Sequence, residues 1–120
     1  MASVYLEENG HLVLCHNFHA KFAEIDLITV ENDKLHFIEV KNYSRDSLLH
    51  PLEVITRHKM NKMRRAAKVF FREYSNHTKK MDESEIETGK IIIDIVSLQP
   101  CFDLLWVRDD QTFEYFRELF

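Results

Sequence analysis

Ala23-Glu-Ile-Asp-Leu-Ile-Thr-Val30, then Glu31-Asn-Asp-Lys34, then Leu35-His-Phe-Ile-Glu-Val-Lys41, is the stretch that decides the fold. Its flanks are rich in β-branched and apolar residues, and the four residues between them carry turn chemistry. The stretch therefore reads as two antiparallel strands closed by a hairpin. A symmetric turn of two residues (Asn32, Asp33) or of four gives one register, in which opposed residues have numbers summing to 65. Asp26 then opposes Glu39, and Glu24 opposes Lys41.

Opposed residues have β-carbons about 5 Å apart, where like charges weaken a sheet unless something neutralises them. Two carboxylates converging from rigid strands make a hard-oxygen site of the kind that suits Mg²⁺ or Mn²⁺. Such an ion acidifies a bound water and neutralises charge on a phosphate oxygen. Lys41, two residues beyond Glu39 on the same face, adds a compact positive charge for the phosphorus transition state. Asp26, Glu39 and Lys41 are thus the candidate catalytic set, with Asp26 and Glu39 as metal ligands. Glu24 is secondary, placed equally well to orient Lys41 or to bind metal. The competing reading is a solvated charge cluster on an exposed sheet face.

Outward from the hairpin, Ser3 to Asn9 followed by Gly10 reads as a short helix with a left-handed stop, and His11 to Cys15 as a strand. After a polar loop from Asn42 to Ser47, the apolar residues Met60, Met63, Ala67, Phe70, Phe71 and Tyr74 recur every three or four positions. That spacing predicts an amphipathic helix over about 53–74. Ser75 to Thr88 reads as a loop, Lys90 to Leu98 and Leu104 to Arg108 as strands. Phe113, Phe116 and Phe120 stand at helical spacing. The expected order is α-β-β-β-α-β-β-α, an α/β domain in three layers with a mixed sheet flanked by helices.

The 120 residues suffice for one domain, taken as 1–120. No apolar run approaches the length that crosses a bilayer and the start lacks a secretion signal, so a cytoplasmic location is expected, with no membrane partner. Cys15 and Cys101 are unclustered and read as packing residues. The seven histidines match no compact zinc spacing, and nothing suggests a small-molecule cofactor. The net charge of −4 conceals a strong segregation. Residues 1–53 hold 4 cations and 9 anions, residues 54–72 hold 7 and none, and residues 73–120 hold 5 and 11. A basic stretch inside an acidic chain suits a local polyanion contact. Arg57, Lys59, Lys62, Arg64, Arg65, Lys68 and Arg72 supply it, although they span more than half the helical wheel, so only a subset can meet one partner. The acidic outer segments and the Phe-rich tail leave a homodimer open.

The segments AEIDLI (23–28), FIEVK (37–41) and HPLEVITRHKMNKMRRAA (50–67) resemble the YraN-like family of uncharacterised small bacterial proteins. That family is similar to Holliday-junction resolvases and restriction enzymes. The resemblance runs from about Tyr5 to Leu98. It implies the restriction endonuclease-like, PD-(D/E)XK core, with Asp26, Glu39 and Lys41 at the motif positions and the carbonyl of Val40 as a further metal ligand. The family's helix has a Lys where Lys59 stands and an Asp where Asp94 stands. It has Gly at Ala23, Arg at His19, and a first-helix Glu before the position matching Tyr5, for which Glu7 or Glu8 would have to substitute. The implied function is a metal-dependent DNA endonuclease, acting on branched or single-stranded DNA. The alternative is a nucleic-acid-binding module that keeps the fold without the chemistry.

Overall fold

A computed structural model describes residues 2–43, 51–79 and 97–120. Helix α1 (Ala2–Glu8) precedes three strands, β1 (Leu12–Ala20), β2 (Ala23–Glu31) and β3 (Lys34–Tyr43). A 3-10 turn (Pro51–Val54) leads into α2 (Arg57–Lys79), and β4 (Gln99–Arg108) and β5 (Phe113–Phe116) complete the chain. The strands form one five-stranded sheet in sequence order. All neighbours are antiparallel except β3 and β4, which run parallel. A parallel pair needs a crossover, and α2 lies in that connection. Among the described residues the fold is α/β with a mixed sheet between two helices, as the sequence predicts and consistent with a restriction endonuclease-like core.

The deciding hairpin has the expected register. Leu27, Ile28, Thr29, Val30 and Glu31 pair with Ile38, Phe37, His36, Leu35 and Lys34, all summing to 65 across a two-residue turn in which Asn32 takes φ +56°. Asn tolerates that left-handed conformation because its short polar side chain bonds locally; here it donates to Glu31 at 3.1 Å.

Two apolar clusters sandwich the sheet. On one face, Met63, Ala66, Ala67 and Phe70 of α2 meet Ile25, Ile28, Leu35 and Phe37. Phe37 is fully buried, its ring 5.4 to 6.0 Å from those of Phe102, Phe71 and Phe70. On the other face, Leu6 of α1 meets Leu27, Ile38 and Leu105. Helix α1 ends as its sequence demands. Gly10 has φ +90°, and the His11 and Gly10 N–H groups donate back to Leu6 and Glu7.

Three expectations change. Helix α2 starts at Arg57, where the Thr56 hydroxyl caps the Lys59 N–H at 3.1 Å, and it continues through 75–79, which read as loop. Strand β1 runs five residues past Cys15, to Ala20. The expected terminal helix is a strand: Phe113–Phe116 pairs with Leu104–Val107 on the open side of β4. An Asp110 turn starts it, with that side chain accepting from the N–H and hydroxyl of Thr112. The predicted strand at Lys90 to Leu98, with Asp94, falls largely outside the described residues, as does most of the 42–47 loop. Ser97 and Leu98 are not strand. No helix among the described residues is long and apolar enough to cross a membrane.

Candidate metal centre and basic cleft

The ladder between β2 and β3 stops at Leu27 and Ile38, one pair short of Asp26 and Glu39. The reason is a distortion of β2. Ile25 and Ile28 both pack on the α2 side while Leu27 packs on the α1 side, so strict alternation fails at Asp26. Asn17 of β1, in the matching position, has φ +50°. Freed from the ladder, Asp26 uses Oδ2 to accept the N–H of Val40 at 2.8 Å. Its side chain thereby reaches the residue between Glu39 and Lys41, and it lines a cleft with Ala2, Ser3, Val40 and Asn42.

Glu39 is 4% exposed, and its Oε1 accepts two ammonium groups, Lys41 and Lys59, each at 3.1 Å. Burying a carboxylate is costly unless it is paired, and this one has two cations. The hydrogen bond to Glu39 holds the Lys41 pKa above the ordinary lysine value against the opposing effect of burial, with the charges of Glu39, Tyr43 and Asp26 assisting. Lys41 is therefore an ammonium at neutral pH, suited to stabilising charge and unsuited to acting as a base. Glu24 does not meet Lys41. It lies beside His19 in the β1–β2 pairing, 3.3 Å from Nδ1, and is half exposed.

Helix α2 sorts the basic stretch into two sets. Lys59 and Lys62 are partly buried and line a cleft of about 390 Å³ with His19, Ala23 and Glu24. Arg57, Arg64, Arg65, Lys68 and Arg72 are exposed on the outer side. Of these, Arg64 lies 4.7 Å over the Phe120 ring. The tail phenylalanines are spent internally, Phe113 stacked on Tyr5 and Phe120 on Phe102. Glu7 and Glu8 are exposed at the end of α1.

A second polar cluster lies at the opposite end of the hairpin. His36 (1% exposed) places Nδ1 2.5 Å from Asp103 Oδ2 and Nε2 3.1 Å from Glu31 Oε2. His11 contacts Thr29 through Nδ1 at 2.7 Å, and Tyr115 donates to Asp103. Burial and the neighbouring His36 lower the His11 pKa, keeping the ring neutral. Burial works against Glu31 ionisation, but the Arg117 hydrogen bond and charge prevail and hold its pKa below the usual carboxylate value. The available sequence signal was a polar residue at a core position: His36 and Asp103 each interrupt an apolar strand.

The model of "Uncharacterised protein family UPF0102" matches residues 1–107. A protein named for that family from Sulfurimonas denitrificans is 34% identical over 93 residues, 76% of this chain and 82% of its own length. One from Psychromonas ingrahamii is 33% identical over 105 residues, 88% and 78% of the two chains. One from Campylobacter fetus is 52% identical over a shorter 46 residues, 38% and 41%.

Proposed function

The chain belongs to the uncharacterised protein family UPF0102, and from that premise we propose that it is a metal-dependent DNA endonuclease whose working residues are Asp26, Glu39 and Lys41. The observation that carries this reading is the bond from the Val40 N–H to Asp26. It ties the Asp26 carboxylate of β2 to the residue between a buried glutamate and a lysine held as an ammonium. A structural ion pair alone needs no third charged group drawn out of a strand ladder.

The donor set fits a hard divalent cation. Asp26 Oδ1, the Glu39 carboxylate and the Val40 carbonyl are all oxygen, the chemistry of Mg²⁺ and Mn²⁺ sites. The N–H and C=O of one residue leave an extended strand on the same edge. The Val40 carbonyl thus leaves toward β2, where the ladder has ended. Such an ion, when bound, supplies a more acidic water and neutralises charge on the scissile phosphate. The chain's residues supply the rest. Asp26 and Glu39 hold the ion, and Lys41 sets a fixed positive charge where phosphate charge builds. Lys59 and Lys62 offer ammonium groups in the adjoining cleft to the phosphates of the strand.

The rival reading is a binding-only module, favoured by one observation: Lys41 and Lys59 already neutralise Glu39 without an ion. A cleavage assay with Mg²⁺ or Mn²⁺ on duplex, single-stranded and four-way DNA separates the two. Cleavage by the wild type that is lost in Lys41→Ala and Asp26→Asn supports the enzyme. DNA retardation without cleavage supports the module.

A further inference from the structure

His11 presents a buried ring nitrogen with nothing to bond. Its side chain is fully buried, and Nε2 is the one buried side-chain polar atom among the described residues without a partner. An orphaned buried polar atom costs about 1–3 kcal/mol, so a retained one asks for an explanation. Nε2 points toward Glu31 Oε2 at 3.8 Å, beyond hydrogen-bond reach.

His36 poses a matching problem on the same oxygen. Asp103 Oδ2 accepts from Nδ1, because an ionised carboxylate has no proton to give. In the neutral tautomer this leaves His36 Nε2 a bare lone pair facing Glu31 Oε2 at 3.1 Å. Two acceptors at that distance need a proton or a cation between them. One ligand atom from each of His11, Glu31 and His36 lies within 4.8 Å of the other two. Ligands about 2.0–2.2 Å from a tetrahedral ion stand roughly 3.3–3.6 Å apart, and the two separations to Glu31, 3.1 and 3.8 Å, bracket that range.

The surroundings are those of a metal ligand set. Ligating histidines characteristically donate their other N–H to a carboxylate or similar acceptor, which fixes the tautomer. Asp103 plays that part for His36 and Thr29 for His11. Asp103 is itself held by the Tyr115 hydroxyl and by the Glu118 N–H at 2.8 Å. Arg117 Nη1 reaches both Glu31 oxygens, 3.3 Å from Oε1 and 3.1 Å from Oε2, so Oε1 can keep the guanidinium while Oε2 turns to the ion.

We propose that His11 Nε2, His36 Nε2 and Glu31 Oε2 bind a transition-metal cation of the Zn²⁺ class, at a site separate from Asp26, Glu39 and Lys41. Two imidazoles and one carboxylate select Zn²⁺ or Co²⁺ over Mg²⁺. The ion fastens the start of β1 to both strands of the deciding hairpin. His36 lies three residues from Glu39 along β3, roughly 10 Å at 3.3 Å per residue.

The test uses the full chain, stripped with a chelator and titrated with Co²⁺ and then Zn²⁺. With Mg²⁺ in excess to fill the all-oxygen site, one equivalent of Co²⁺ is expected to give the intense visible bands of a four-coordinate ion and to be displaced by Zn²⁺. His11→Leu should abolish the bands and weaken binding at least about 100-fold. Thr29→Val should weaken it about 10-fold. Asp26→Asn, which alters only the other proposed metal site, and His58→Ala, which removes an exposed histidine, should keep the four-coordinate bands and their displacement by Zn²⁺, which separates this outcome from nuclease activity. His11→Leu removes the orphaned nitrogen and also the partner of the buried Thr29 hydroxyl, so the thermal test is the response to the ion: Zn²⁺ is expected to raise the melting temperature of the wild type and not that of His11→Leu. Absence of Co²⁺ binding by folded wild type, or undiminished binding by His11→Leu, would overturn the proposal.

Discussion

Asp26 combines two roles in one side chain, a hydrogen-bond acceptor for Val40 and a negative charge beside Lys41. Substitution separates them. Asp26→Asn keeps an oxygen for the Val40 N–H, so stability should change by less than about 0.5 kcal/mol while the affinity for Mg²⁺ or Mn²⁺ at the Asp26–Glu39 site collapses. Asp26→Leu loses both and should cost about 1–3 kcal/mol in denaturant unfolding. Equal destabilisation by the two would mean that the charge, and not the backbone bond, fixes this part of β2. Cys101 gives a pH test. Burial, with the charges of Asp103 and Glu118 adding to it, pushes the thiol pKa from 9.0 up to about 11. Below pH 9 both folded and unfolded chains hold the proton. Above it the unfolded chain releases its proton while the folded chain retains it, so stability falls through the window up to about 11. Tyr115, also raised, contributes in the same alkaline range, so the thiol is isolated by difference: Cys101→Ala should lose less stability across that window, by on the order of 2 kcal/mol. Parallel pH profiles for the two proteins would contradict it. At this scale the hairpin register from Leu27 and Ile38 to the turn was legible in the sequence, whereas the roles expected of Asp26, Glu39 and Lys41 stand as the proposal above. The sequence did not reveal that Asp26 leaves the ladder, because the distortion arises opposite Asn17, whose left-handed backbone no pattern of alternation signals.

Helix α2 was legible from its apolar spacing because one stripe, Met63, Ala66, Ala67 and Phe70, must face the sheet. Its first turn was not, since Glu53 and Val54 continue a helix-compatible sequence and only Thr56, with its hydroxyl on the Lys59 N–H, marks the boundary. Thr56→Ala should lower stability by about 1 kcal/mol, and Thr56→Asp should restore it; thermal melts of the three proteins check this, and no loss in Thr56→Ala would remove the cap from the account. The C-terminal strand was misread for a physical reason. Phe113, Phe116 and Phe120 fit a helical period, but β4 offers an open edge of backbone donors and acceptors, and pairing with it outweighs the weak preference of a four-residue segment. The signal overlooked was the Asp109-Asp110-Gln111 turn before two aromatic residues in alternation, Phe113 and Tyr115.

For the molecule as a whole, the charge segregation seen along the chain becomes a spatial one. The α2 cations divide between a cleft beside Glu39 and an outer face, whereas composition alone showed only that both could not serve one partner. If DNA binds through the cleft, Lys62→Ala should weaken binding and lower the slope of log K against log salt by about one phosphate contact. Arg72→Ala, on the outer side, should leave the slope unchanged. Equal effects would place the DNA across the helix instead. The buried cluster of His11, Glu31, His36 and Asp103 escaped sequence reading because only Glu31 and His36 are near in the chain, while His11 before β1 and Asp103 on β4 reach them through sheet pairing that no local spacing anticipates. The central claim concerns Lys41. Single-turnover cleavage of radiolabelled DNA at saturating Mn²⁺ and excess protein should be about 10²–10³-fold slower in Lys41→Ala, with DNA affinity within about twofold of the wild type. Equal cleavage rates, or cleavage by the wild type that persists after chelation of the metal, would contradict it.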